Sequence, residues 1–165
     1  MPIINLTELR AALSPGQRLI GLDPGKRVIG LALSDPLLIL ATPYGSLQRG
    51  KLAANAAQIR AMAEKEGAAG LVVGLPLSLD GSFGPAAQAA KDWAMAVSVA
   101  TEMPVSLWDE RLSSSAVNRM LVEEADLSRA KRMKIVDSAA AGYMLQAALD
   151  ASRSVGDSDG APLSA

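Results

Sequence analysis

The chain of 165 residues has neither cysteine nor histidine. Without cysteine there is no disulfide framework, no thiolate metal ligand and no cysteine nucleophile. Without histidine there is no imidazole base, no histidine-zinc site and no Ser-His-Asp triad. Aromatic residues make up 3% of the chain although half of it is apolar, so alanine, leucine and valine must fill the core. No uncharged apolar run approaches the roughly 18 residues that span a bilayer. Glu8 and Arg10 interrupt the stretch where a secretory signal would be continuously apolar. The chain therefore reads as cytoplasmic, with no membrane partner. A net charge of −1 and a pI near 5.5 argue against a wholly basic nucleic-acid coat and leave room for local basic patches. Carboxylates, hydroxyls, lysines and arginines are what remain for chemistry.

The length suits one domain, large enough to bury about two thirds of its unfolded surface. Its organising stretch is Leu19 to Asp35: an apolar run to Asp23, a Pro24-Gly25 turn, and a second apolar run from Val28 to Leu33. That pattern predicts a β-hairpin with a carboxylate at the end of a buried strand. An unpaired acid there is costly, so it must find a cation, a proton or a donor.

Residues 1–17 form an extension with a short amphipathic helix, about Thr7 to Leu13, whose Leu9 and Leu13 face the body. Leu37 to Leu47 reads as a third strand interrupted near Pro43. Leu52, Ala56, Ile59 and Ala63 then mark a helical face that stops at Gly67. Gly70 to Gly74 is a continuously apolar strand followed by a loop from Leu75 to Gly84. Pro85 opens a helix with a stripe of Ala86, Ala90, Trp93, Val97 and Ala100. Val105 to Trp108 is a fifth strand, ending at Asp109-Glu110-Arg111. Ser113 to Ser115 cap a helix bearing Val117 and Met120 or Leu121. A basic segment to Lys134 leads into a last helix from Ile135 to about Ala151. Residues 18–151 are thus the domain, and the Ser, Asp and Gly content of 152–165 predicts a disordered tail. This order gives an α/β fold, a mixed five-stranded sheet flanked by helices.

Asp23, Glu110 and Asp137 each follow an apolar run. In a chain without histidine, such a trio most naturally binds Mg²⁺ or Mn²⁺, which prefer oxygen ligands. Singly, each acid has a plainer reading. Asp23-Pro24-Gly25 is also a turn sequence, and Asp137 suits the first turn of a helix. Glu110 can pair with Arg111, Arg119 or Lys134, and Asp109 is an alternative ligand in its place.

Four ordered blocks resemble the YqgF family of pre-16S rRNA nucleases, also described as Holliday-junction-resolvase-like proteins with a ribonuclease H-like fold. They are Leu22-Asp23-Pro24-Gly25 with Ile29 to Ala32, Val73-Gly74-Leu75-Pro76 with Asp80-Gly81, Asp109 to Ser113, and Val136 to Ala140. The resemblance runs from about residue 18 to 150. It implies that Asp23, Glu110 and Asp137 are catalytic and hold divalent metal for endonucleolytic cleavage at the 5′ end of pre-16S rRNA. The segments before Arg18 and after Ser152 lie outside that core, and Arg129 to Lys134 is longer and more basic than the family's usual lead-in to the last aspartate.

Lys131, Arg132 and Lys134 lie close to Asp137 in sequence and suit phosphate contacts, as do Lys26 and Arg27 beside Asp23; Arg111 can hold Glu110 or a phosphate. Each also reads as an ordinary solvated charge. The expected partners are structured RNA or branched DNA, within a preribosomal particle in the RNA case. Two other readings compete. One is a non-catalytic RNA-binding assembly factor. The other is a nucleotide-binding domain of the actin and sugar-kinase type, which usually pairs two such domains where this length supplies one.

Overall fold

A computed structural model describes residues 3–76, 84–110 and 129–160, without the side chains of 129–137 and 154–160. The chain alternates as α1 (Leu6–Ala12), β1 (Arg18–Pro24), β2 (Val28–Ser34), β3 (Ala41–Gln48), α2 (Leu52–Glu66), β4 (Ala68–Leu75), α3 (Pro85–Thr101), β5 (Val105–Asp109) and α4 (Arg129–Gly160). The five strands form one mixed sheet in the order β3-β2-β1-β4-β5. β1, β2 and β3 are the antiparallel meander, and β4 and β5 join parallel to β1 through helical crossovers.

Strand alternation sorts the core into two layers. Ile20 and Leu22 of β1 and Leu71 and Val73 of β4 pack with Ile59 of α2 and Trp93 and Val97 of α3. Leu19 and Val72 face the other way, into a cluster with Leu9 of α1 and Ala141, Met144, Leu145 and Leu149 of α4. Each fully buried leucine or isoleucine contributes about 1.5–3 kcal/mol. β1 and β4 are buried on both faces, which is why they read as continuous apolar runs rather than alternating ones.

Several elements differ in detail from the sequence expectation. β3 starts at Ala41, not Leu37. The Asp35 carboxylate accepts the backbone N–H groups of Leu37, Ile39 and Leu40 at 3.3, 2.7 and 2.9 Å, which winds the segment into a turn with Leu38 at φ 59°. The interruption near Pro43 is a register shift: Leu31 pairs with Gly45 and Ala32 with Pro43, so Tyr44 is the extra residue. On α3, Ala86 and Ala100 are exposed, and Ala87, Ala94, Ser98 and Thr101 are buried in their place. On α2, Asn55 is buried and Leu52 is only partly so. Gly67 ends α2 at φ 71°, as a left-handed cap requires.

α4 begins at Arg129 rather than Ile135 and so includes the basic segment. It continues beyond Ala151, where composition predicts a tail, to Gly160. Ser152 is buried there, and its hydroxyl donates to the Ala148 carbonyl and accepts from Arg10 of α1. The capping helix of Ser113 to Leu121 and the Leu77 to Phe83 part of the loop after β4 lie outside the described residues.

Candidate active site

Two strand ends meet at one place on the α4 side of the sheet. β1 alternates Leu19, Gly21 and Asp23 onto that side, and a tight turn follows in which the Gly25 N–H donates to the Val28 carbonyl at 2.9 Å. Asp23 pairs with Gly30 of β2. On its other flank it stands one residue past the Leu22–Val73 pair, level with Gly74 of β4. Both flanking positions therefore lack a side chain.

Glu110 follows β5 directly and uses that space. A Cβ at Gly74 would come within 2.7 Å of Glu110 Cγ and Cδ, nearer than real Cβ atoms approach. The Glu110 carboxyl is hydrogen-bonded to that of Asp23. Burial first, then that hydrogen bond and the charges of Asp23 and Asp109, push Glu110 up to about 9 from an ordinary 4.5. At neutral pH the pair therefore holds one proton in the absence of a cation. Of the adjacent acids at the end of β5, it is Glu110 that meets Asp23.

The backbone of α4 carries position 137 two turns inside the helix, not in its first turn. The reading of Asp137 as a dipole-favoured N-terminal acid therefore fails, because that effect fades after the first turn. Position 137 falls one turn before Ala141, on the same stripe as Met144, Leu145 and Ala148. A Cβ at Gly21 would lie 3.0 Å from Leu145 Cβ, and Ser152 further along α4 meets Arg10 near the start of the sheet. α4 thus runs antiparallel to β1, its earlier turns toward the Asp23 end. The Asp137 side chain itself lies outside the described residues.

Lys26 and Arg27 are exposed on the turn after Asp23. Arg111 and the side chains of Lys131, Arg132 and Lys134 are outside the described residues. Among the described residues no group of three acids closes around one point. An apolar groove of about 140 Å³ lies between β3 and α4, lined by Ala41, Pro43, Ala139, Gly142, Tyr143 and Gln146, and has no carboxylate in its lining. No described helix is long and apolar enough to cross a membrane.

Sequence reasoning missed two supports. Gly74 is visible in the sequence as the end of an apolar run and as a member of the Val73 to Pro76 block, but nothing local announces that Glu110 needs its space. Arg49 donates from Nη1 to the Gly25 carbonyl at 2.8 Å. The signal available for that region was Asn55, a polar residue within the apolar stretch of α2.

The family model described as RuvX, Holliday junction resolvase, matches residues 17–151. A protein of Gluconacetobacter diazotrophicus named "Putative pre-16S rRNA nuclease" is 60% identical over 92% of this chain and 98% of its own length. Relatives of the same name from Acidiphilium cryptum and Rhodospirillum rubrum are 62% and 50% identical, over 91% and 92% of this chain and 94% of each relative. Among solved structures, RuvC of T. thermophilus in complex with a Holliday junction substrate superposes with a TM-score of 0.51 at 18% identity, covering 82% of this chain and 94% of that one. The likeness in structure extends to the ribonuclease H-like sheet and its flanking helices. On the match of residues 17–151 and identities of 50% and more, this chain belongs to the RuvX family of Holliday junction resolvases.

Proposed function

We propose that this chain is a metal-dependent endonuclease that cuts structured RNA, with the 5′ region of pre-16S rRNA as its substrate, acting in the cytoplasm on free precursor or on a preribosomal particle. The observation that carries the reading is the carboxyl–carboxyl hydrogen bond between Asp23 and Glu110 at neighbouring strand ends. Two buried acids that must keep a proton at neutral pH are a costly arrangement, which a divalent cation relieves by taking the proton's place.

The donor set fits Mg²⁺ or Mn²⁺: carboxylate oxygens from Asp23 and Glu110, with Asp137 as the third, and no histidine or cysteine in the sequence. When bound, such ions activate a water and stabilise the leaving oxygen of a phosphodiester. The chain's own residues do the rest. Asp23, on a strand end, would hold the cation beside the scissile phosphate. Glu110 would be a second oxygen ligand and would accept a proton from the attacking water. Lys26 and Arg27, and further along Arg111, Lys131, Arg132 and Lys134, hold the phosphates on either side.

The test is cleavage of labelled precursor RNA and of a four-way DNA junction by the wild type and Asp23→Asn, with Mg²⁺, Mn²⁺ or chelator. The expected result is metal-dependent cutting of the RNA that falls on the order of 10³-fold or more in the variant, with folding and binding retained. Undiminished cutting by Asp23→Asn sinks the proposal. The family description favours a second reading, resolution of branched DNA, and preferred cutting of the junction would select it. Equal RNA binding without cutting by either protein, on naked RNA and on preribosomal particles alike, would favour a non-catalytic assembly factor.

A further inference from the structure

Arg49 follows β3 directly, at the same end of the sheet as the turn after Asp23. Its backbone N–H donates to the Arg27 carbonyl at 2.8 Å, which extends the β2–β3 ladder by one bond beyond the Val28–Gln48 pair. Its Nη1 donates to the Gly25 carbonyl, also at 2.8 Å. The guanidinium carbon lies 5.6 Å from the ring centroid of Trp93, within cation–π range. Trp93 belongs to the core beneath α3, so the guanidinium rests on a fixed platform.

Arg49 is itself braced. The Asn55 side chain, 1% exposed, donates from Nδ2 to the Gln48 carbonyl at 3.0 Å, and its Oδ1 accepts the Gly50 N–H at 2.9 Å. One amide of α2 thus clamps the chain on both sides of Arg49. Satisfying a buried amide in this way keeps it from being a cost and makes it a rigid link. The links run from α2 through Asn55 to Arg49, from Arg49 to the turn 25–27, and from that turn to Asp23.

We propose that Arg49 is a positioning residue, which ties the turn after Asp23 to Trp93 and so holds the Asp23 carboxyl in register with Glu110. The activity arm of its test rests on the nuclease reading above. Arginine suits the task because a planar fork stacks on the ring while one nitrogen reaches the carbonyl, whereas a lysine ammonium is a single point. Methionine keeps the stem and removes both contacts.

The experiment compares wild type, Arg49→Met and Arg49→Lys by backbone hydrogen exchange, by Mn²⁺ titration and by RNA cleavage. In the metal-free protein, exchange at Gly25 and Arg49 is expected to rise about tenfold in Arg49→Met, while amides of β4 and α4 stay at wild-type rates. Mn²⁺ affinity and kcat are each expected to fall about 10- to 100-fold, the range for losing a residue that orients a ligand. KM for RNA should change by less than about twofold, and Arg49→Lys should recover part of the loss.

Unchanged exchange at the turn overturns the proposal. So does faster exchange with Mn²⁺ affinity and kcat intact. A rise in KM alone also overturns it, because that result makes Arg49 a phosphate contact. If the wild type neither binds Mn²⁺ nor cuts, the proposed function falls by itself, and exchange at Gly25 still decides whether Arg49 holds the turn.

Discussion

The carboxyl of Glu110 is hydrogen-bonded to that of Asp23 and lies over the bare backbone of Gly74, so three separate strands define one pair of oxygens. On the proposed function, the glycine is as necessary as the acids. In Gly74→Ala the new methyl would occupy the space of Glu110 Cγ and Cδ, and the acid must swing away. Cleavage should fall about 10²-fold or more, as expected for a ligand displaced by an ångström or so. Circular dichroism should remain that of the wild type. Gly45→Ala on β3 is the control, since nothing lies within 4 Å of its added methyl. Wild-type cleavage by Gly74→Ala would show that Glu110 is not needed where it lies.

The same pair predicts a pH dependence of stability in the metal-free protein. Glu110 is raised from 4.5 to about 9 by folding. Below 4.5 both states carry the proton and the folded state bears no penalty. Between 4.5 and about 9 the unfolded chain releases it and the folded chain keeps it, so stability falls as pH rises, by at most about 1.4 kcal/mol per unit from this group. Urea unfolding in chelator should show that decline, and Glu110→Gln should flatten it and be the more stable protein at pH 8. Adding Mn²⁺ should stabilise the wild type and not Glu110→Gln to the same degree. A wild type as stable at pH 8.5 as at pH 5.5, relative to Glu110→Gln, would contradict the shared proton.

The meander, the two buried parallel strands and the alternation of strand and helix were legible because burial on both faces writes continuous apolar runs, as in Leu71, Val72 and Val73. That Asp23 and Glu110 stand at neighbouring strand ends is legible because Asp23 closes the apolar run of β1 and Glu110 directly follows β5. Other features were not legible because they depend on contacts distant in sequence. Leu37 to Leu40 looks like a strand by hydropathy, and only the Asp35 carboxylate turns it into a loop. The start of α4 at Arg129 is not legible because a run of lysines and arginines reads as a loop, although both are good helix formers. Ala86 and Ala100 read as part of the buried stripe of α3 because alanine is compatible with either face of a helix, and both are exposed.

Close approach of α4 to β1 rests on Gly21, whose added Cβ would meet Leu145 Cβ at 3.0 Å and Leu145 Cδ2 at 3.3 Å. Leu145 is fully buried, so its side chain cannot swing into solvent. Gly21→Ala is expected to destabilise the protein by about 1–3 kcal/mol, the range for overpacking a core. Leu145→Ala creates a void and costs about 2–5 kcal/mol alone. In the double variant the new methyl partly fills that void, so the two losses should sum to more than the measured loss by at least about 0.5 kcal/mol. Strict additivity in urea unfolding would mean that the helix does not press on Gly21.

Asp35 shows the opposite electrostatic sign from Glu110, just past the end of β2 that lies away from the Asp23 turn. Burial pushes its carboxyl up, but the backbone N–H groups of Leu40, Ile39 and Leu37 together outweigh that push and hold it below the ordinary 3.8. A depressed acid contributes stability above its unfolded value and loses it as pH falls through the lower folded one. Asp35→Ala removes an acceptor from three backbone donors that water can still reach, so the cost at pH 7 should be about 1 kcal/mol. The gap between wild type and variant should close as the pH is lowered below 3.8, and cleavage at pH 7 should stay within about twofold. A gap that persists unchanged in acid would mean that the turn is held by packing of Leu38 rather than by the carboxylate.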